Sequence, residues 1–567
     1  MFIRILYLGL ISLISIASPV LAYDNTAVQT HIQTFLDPQP ENDILRIRGT
    51  DIASHIVLPA LYAKREFQPV WGNEQSIVQY MDILGRIDED GLDASDYHFE
   101  EISSIREQLW QGEQLNPQLR AEYDLLLTDS LVRLGYHLLI GKVDPVELDS
   151  QWNMDKTVGK LDMILNLASA IELGRMDELI DMLRPQFHIY TNLKSALKRY
   201  HQIAASGGWQ SIATGSTIKP GMSDARVPGI RQRMILTGDL SGDGEASVSY
   251  DAALVQAVMK FQYRHGMKID GLVGNETIKA MNIPVEDKIE KIRVNLERSR
   301  WVLHDLPEKF VLADIAGFTV SYYLNGKVIW NTRAQVGQPF RKTPIFKSSI
   351  RYLVFNPTWT VPPTILEEDI LPKIHQDPGY LKRKNLSVMD FSGRPVDEST
   401  IAWSAYPDTK FPYMLRQDPG PGGALGRIKF MFPNEYSVYL HDTPYRSLFD
   451  HNERAYSSGC IRIEKPYELT ALLLNNPKKW NTNSIVEAID SLKTADVSLP
   501  QPVTIILFYW TTTIDDNGNI LFKPDIYERD AAISKGLSSR FRFRSKPVLD
   551  MDNMPGKSSL NIRLKSS

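Results

Sequence analysis

Tyr439-Leu440-His441-Asp442-Thr443-Pro444 and, downstream, Ala455-Tyr456-Ser457-Ser458-Gly459-Cys460-Ile461-Arg462-Ile463 are the most informative residues of the chain. Cys460 is the one cysteine among 567 residues, so an intramolecular disulfide framework and a cysteine-rich metal site are both excluded. A thiol becomes a strong nucleophile only as thiolate, which needs a nearby base or a positive field. The pattern predicts a strand at Ser437–Leu440 that His441 closes, and Cys460 opens another strand nineteen residues after that histidine. Paired strands lie about 5 Å apart, so two strand-end side chains come within hydrogen-bonding reach. Gly459 removes Cβ bulk beside the thiol and lets the N–H groups of Gly459 and Cys460 turn toward a developing oxyanion, at about 3 kcal/mol per donor. Strand alternation puts Arg462 on the face of Cys460, where it would lower the thiol pKa or bind a carboxylate. A lone cysteine is also commonly a small buried hydrophobe. His451 is nearer in sequence, in the polar loop Asp450-His451-Asn452-Glu453-Arg454, which offers no rigid placement; spacing alone leaves both histidines open.

Outward from this stretch the chain is β-rich. Val311–Ile315, Thr319–Leu324 and Lys327–Gln335 read as strands, the last two joined by Asn325-Gly326, a strong short hairpin signal. Further strands are predicted at Ile350–Asn356, Arg427–Phe432 and Val503–Thr512, with a turn at Asp515–Gly518 leading into Ile520–Pro524. Thr360 to about Gly426 fits no simple strand pattern: it holds Pro362-Pro363, a helix expected at Glu367–Ile374 and the exit Pro419-Gly420-Pro421-Gly422-Gly423. So long an insertion is usually functional, for instance as a lid. Trp359, Trp403 and Tyr406 are candidates for its apolar wall, or equally for plain core.

Upstream the period changes to that of helices. Tyr23 to about Ala205 is mainly helical, as in Ala121–Leu139, and shows no recognisable chemistry. After a Gly/Ser/Thr-rich stretch at 206–223 comes a compact unit in which Leu254, Val258 and Phe261 recur at helical spacing. Glu286–Trp301 is a charged helix leading into the β-rich half. Met1–Ala22 reads as an export signal, with Arg4 before an apolar run and Val20-Leu21-Ala22 as the cleavage site; the alternative is an uncleaved anchor. From Lys535 onward the chain is basic, with little apolar periodicity. Lys+Arg 63 against Asp+Glu 68, a formal charge of −5, argues against a nucleic-acid partner.

The motif Y-L-H-D-T-P … S-S-G-C-I-R resembles the catalytic signature of L,D-transpeptidases with the YkuD-type fold, supported by Val336–Pro344 and Phe355–Pro362. The likeness is closest to the large periplasmic YcbB-like branch. Asp270, Gly271, Gly274 and Thr277, with Phe261 and Gln262, resemble the three-helix peptidoglycan-binding domain of bacterial wall enzymes. These resemblances imply a multidomain α+β protein: signal or anchor at 1–22, helical scaffold at 23–205, peptidoglycan-binding domain at 206–285, catalytic domain at 286–535 with a capping insertion at 360–426, and a basic tail at 536–567. They imply Cys460 as nucleophile and His441 as general acid/base, Gly459, Ser458 and Ser457 around the oxyanion hole, and Arg462, Tyr439 and Trp359 as substrate contacts. Much of the family has a histidine where this chain has Ser458, so His441 alone would carry the proton transfers. The implied reaction joins two peptidoglycan tetrapeptide stems, donor and acceptor, by a 3→3 cross-link in the periplasm, with no metal or cofactor and as a monomer. A wall-attached protein as acceptor, water as acceptor (an L,D-carboxypeptidase or cross-link hydrolase) and a non-catalytic peptidoglycan-binding scaffold are the alternatives.

Overall fold

The computed structural model describes residues 25–540 apart from 38–44, 56, 113–115, 151, 155–159, 243–245, 407–410 and 516. The export segment read at 1–22 and nearly all of the basic tail lie outside the described residues. Contacts divide the chain into two units, one built from the chain up to Asp82 with Ser95–Arg133 and Ile164–Met176, the other from Ile83–Ala94, Leu134–Met163 and everything from Asp177 onward.

The first unit is helical, as its apolar period predicts. Its polar centre is Asp129, which is fully buried and therefore requires partners. It accepts from Ser54 N at 2.8 Å and Arg133 Nε at 2.7 Å, and meets His98 Nε2 at 2.7 Å. These bonds tie three segments together and leave no donor set open for chemistry.

In the second unit the sequence periods become layers. The helices Val227–Leu236, Ala252–Arg264 and Asn275–Met281 form a small bundle. Leu254, Val258 and Phe261 are fully buried in it, each worth about 1.5–3 kcal/mol of apolar burial. Asp251 caps the middle helix by accepting from Leu254 N at 2.9 Å. Gln262 holds the glycine turn that follows, its Oε1 accepting from Asp270 N and Gly271 N and its Nε2 donating to Leu272 O.

The charged run after this bundle is a helix, Val285–Val302, but a buried one. Glu297 and Arg300 are fully buried and pair with each other at 2.6 Å, and Arg298 pairs with Asp530 at 2.5 Å. His188–Ala205, read from the sequence as part of the N-terminal scaffold, also packs here: Ile189, Tyr190, Leu193 and Leu197 enter the same core as the β-strands.

The β-rich half is a nine-stranded sheet ordered Ala455–Ser457, Lys327–Gly337, Ile461–Ile463, Leu440–His441, Ile428–Met431, Phe346–Phe355, Ala495–Phe508, Lys309–Asp314, Thr319–Leu324. The last strand also pairs with Lys327–Gly337, so the sheet curls back and closes on itself. Closure begins at the Asn325-Gly326 hairpin, where φ is 51° and 73°, both in the left-handed region that a tight hairpin turn needs. One expected strand fails: Ser437 has φ 55° and lies outside the sheet, and pairing begins only at Leu440.

The insertion is a layer of its own. A three-stranded sheet, ordered Trp359–Thr360, Met414–Gln417, Leu386–Met389, lies beside a helical run over 363–376 that widens to a π-helical turn at Leu366–Ile370. Its core is separate from that of the barrel and is built on Val361, Leu366, Ile370, Leu371 and Leu415.

Candidate active site

Register places the candidate residues. Ile428–Met431 pairs antiparallel with Leu440–His441, setting Lys429 opposite His441. Leu440–His441 pairs parallel with Ile461–Ile463, setting His441 opposite Arg462, and Arg462 faces Gln335 on the next strand. Lys429, His441, Arg462 and Gln335 thus form a row across the sheet. Cys460, two residues before Arg462, and Tyr439, two before His441, follow on the same face by strand alternation. The nucleophile candidate and the imidazole therefore share one face of adjacent strands.

His441 is 3% exposed. Its Nδ1–H donates to the Asp442 carbonyl at 2.5 Å, which leaves the lone pair on Nε2. Burial, reinforced by the Arg462 guanidinium and the Lys429 ammonium, pushes the imidazole pKa down to about 3. The ring is neutral at physiological pH and so is available as a base. Gly426 makes this placement possible: its φ is +63°, and a Cβ there would sit 2.5 Å from Asp442 atoms.

Cys460 is half-buried, and its thiol donates to the Ser437 carbonyl at 3.8 Å. The positive φ of Ser437 thus lies in the segment that faces the sulfur. Burial raises the thiol pKa against the pull of the Tyr439 backbone, Lys429 and Arg462. The resting pair is therefore a neutral thiol beside a neutral imidazole.

The loop before Cys460 corrects the expectation for the Gly459 amide. Ser457 Oγ accepts from Gly459 N at 3.1 Å and donates to Cys460 O at 2.5 Å. The Gly459 amide is thus already used, and Ser457 braces the nucleophile loop and makes no hydrogen bond to the imidazole. The Cys460 N–H has no acceptor among the described residues and is the amide left to face an oxyanion. Gly459 holds φ +110°, closed to most side chains. A second brace comes from Thr343, whose Oγ1 donates to Gly459 O at 2.8 Å and accepts from Gly337 N at 2.9 Å. Tyr527 OH in turn donates to Gly337 O at 2.6 Å.

Ser458 points outward and accepts from Arg341 Nη1 at 2.9 Å. The same guanidinium pairs with Asp369 at 2.5 Å and with Glu368, both on the π-helical turn of the insertion. Arg341 therefore clasps the insertion to the residue two before the sulfur. Trp359, Trp403 and Tyr406 are partly buried and pack on the insertion's own core, with Trp403 stacked on Phe411 at 5.2 Å. His451 is exposed and bonded to Tyr456 OH at 2.7 Å, away from the row. Sequence reasoning missed Lys429, Gln335 and Arg341. Lys429 and Gln335 carry no local signal because only strand pairing places them, whereas Arg341 stood inside the quoted Val336–Pro344 run.

Residues 308–483 match the L,D-transpeptidase catalytic domain model (YkuD), residues 231–281 a peptidoglycan binding domain and residues 57–197 a scaffold domain. A Haemophilus influenzae protein provisionally described as an L,D-transpeptidase is 38% identical over 245 residues, 43% of this chain and 49% of that protein. The N-acetylmuramoyl-L-alanine amidase CwlL of Bacillus licheniformis is 32% identical over 84 residues, 15% of this chain and 23% of that protein. The chain thus spans about half the length, 49%, of the first relative and 23% of the second. An L,D-transpeptidase structure from Mycobacterium smegmatis aligns over 35% of this chain and 58% of that one at 16% identity, with a TM-score of 0.16, too low to bear on the fold. By these matches the chain carries a YkuD-type L,D-transpeptidase catalytic domain at 308–483, joined to a peptidoglycan-binding domain at 231–281 and a helical scaffold domain at 57–197.

Proposed function

We propose that this protein is a peptidoglycan L,D-transpeptidase that works through a Cys460 thioester and makes 3→3 cross-links. The observation that carries the reading is the strand register that sets Cys460, a neutral buried His441 and two cations on one face. In the first step Nε2 of His441 takes the thiol proton as Sγ attacks the carbonyl of the third stem residue. Lys429 and Arg462 favour the thiolate as it forms, and the Cys460 N–H meets the oxyanion. The intermediate collapses, the carbon–nitrogen bond to the terminal D-Ala breaks, and His441 returns its proton to the departing amine. A side-chain amine of a second stem then attacks the thioester, passes its proton to His441, and the sulfur leaves and is reprotonated. The cleaved amide is replaced by a new amide, so no ATP is required.

Water competes for the thioester unless it is kept out. The insertion, clasped to the nucleophile loop through Arg341, is suited to that exclusion. The peptidoglycan-binding domain would hold the enzyme on its polymer, and the export segment would place both in the periplasm.

Carbapenems generally acylate this family, so intact mass of the full chain after incubation with one reads the nucleophile directly. Wild-type protein is expected to gain one adduct and Cys460→Ser none, at an unchanged circular dichroism spectrum. A wild-type protein that gains no adduct overturns the assignment. With stem peptides, 3→3 dimers support transfer to an amine, and tripeptide as the sole product shows hydrolysis instead.

A further inference from the structure

Two cations flank Cys460 with no anion to meet them. Lys429 Nζ lies 3.7 Å from the Tyr439 ring centroid, and no carboxylate among the described residues pairs with it. Arg462 makes one side-chain bond, Nη1 to Gln335 Oε1 at 3.3 Å, and its Nε is buried without an acceptor. Several other buried cations of the same unit carry carboxylates, Arg264 with Asp239, Arg298 with Asp530 and Arg300 with Glu297, whereas Arg233 and Lys288 lie over the rings of Trp209 and Phe522. Partly desolvated charges without counter-ions are costly, and two of like sign on either side of one imidazole are more so.

Charge counting through the proposed reaction shows what is missing. At rest the thiol and imidazole are neutral, so the row carries two positive charges. When the thiol proton passes to His441, the imidazolium gained offsets the thiolate, and the sum stays at two. In the thioester the sulfur and the imidazole are neutral, and both charges still stand. No carboxylate among the described residues pairs with either of them.

We infer that the acyl donor brings its own carboxylate to this row: Lys429 and Arg462 are a specificity-determining pair that selects a stem whose third residue bears a free side-chain carboxylate over the same stem bearing the neutral carboxamide. This rests on the transpeptidase reading and narrows its substrate. The Tyr439 ring holds the ammonium by a cation–π contact. Arg462, kept planar against Gln335, offers its remaining N–H groups for a charge-assisted bond.

The test uses the full chain and two synthetic tetrapeptide stems that differ only in carboxylate or carboxamide on the third side chain. Acyl-enzyme formation is followed by rapid-quench intact mass. Wild-type protein is expected to acylate from the free acid with a kcat/KM about tenfold to a hundredfold higher than from the amide. Lys429→Met slows both stems through the thiolate but the acid by the larger factor, which brings the ratio close to one; Lys429→Arg restores the ratio and Arg462→Gln lowers it. Lys429→Gln serves as a second neutral variant if the methionine variant does not fold, and the wild-type ratio discriminates by itself. Iodoacetamide alkylation against pH reads the thiol separately. A Lys429→Met variant that moves this profile while leaving the peptide ratio unchanged shows that the cations serve the thiolate only, which overturns the inference. Equal acylation by both stems in wild type overturns it as well. Absence of acyl-enzyme from either stem overturns the transpeptidase reading and this inference with it.

Discussion

Ser457→Ala removes one hydroxyl and disconnects two backbone groups of the nucleophile loop. Ser457 is 1% exposed, and its Oγ both accepts from Gly459 N at 3.1 Å and donates to Cys460 O at 2.5 Å. The Gly459 N–H is buried, and left unsatisfied it costs about 1–3 kcal/mol. Loss of the bond to Cys460 O, which is partly solvated, adds about 0.5–1.5 kcal/mol. The expected destabilisation is therefore about 1.5–4.5 kcal/mol, which lowers the melting transition of the catalytic unit by roughly 3–18 °C. Thr343 still holds Gly459 O, so the loop loosens without unfolding. Calorimetry on the full chain reads the stability, and the rate of carbapenem adduct formation reads the site. Adduct formation slows because the Cys460 N–H and sulfur are no longer held in one geometry. A transition within 2 °C of wild type, roughly 0.5–1 kcal/mol for a domain of this size, refutes the assigned role of the hydroxyl. Faster acylation would show instead that the freed Gly459 amide joins the oxyanion hole, as the sequence had suggested.

His441 makes stability depend on pH. Its folded pKa of about 3 lies below the unfolded value of about 6.5, so in that window the unfolded chain binds the extra proton. The contribution is fully present above pH ~6.5 and is lost as pH falls, at up to about 1.4 kcal/mol per unit; melting points from pH 7 to 4 should show a slope that His441→Gln reduces, and parallel slopes would refute it. Arg341→Met breaks the clasp to Asp369, Glu368 and Ser458. Both carboxylates are well exposed, so the loss is about 1–2 kcal/mol, seen as roughly tenfold faster amide exchange over 363–376, and high salt on wild type should act in the same direction. Gly426→Ala would place a methyl 2.5 Å from Asp442 atoms at φ +63° and should cost more than about 2 kcal/mol, displacing the carbonyl that orients His441; a normal melting point with normal acylation would refute that account.

Local features were legible because their physics is local. The Asn325-Gly326 hairpin is demanded by its φ angles, and the helix at Ala252–Arg264 by the spacing of Leu254, Val258 and Phe261. The charged helix at Glu286–Trp301 was legible too, but its burial was not, because Glu297, Arg298 and Arg300 meet partners inside the protein that no window of sequence shows. The insertion gave its composition away but not its core, against which Trp359 packs while staying partly exposed.

The sequence by itself determined that one sulfur is available, that His441 and Cys460 stand at strand ends, and that a long insertion lies between two of the barrel strands. What only the tertiary structure decided is the charge around that sulfur. Lys429 is twelve residues from His441 in the chain and directly opposite it in the sheet, and Gln335 reaches Arg462 across more than a hundred residues. Strand register is a property of paired backbones, and a shift of one residue would turn every one of these side chains to the other face. The neutral imidazole and the unanswered cations follow from that pairing and cannot be read from a single strand, whereas the Gly459 amide is spent locally, on Ser457 two residues before it.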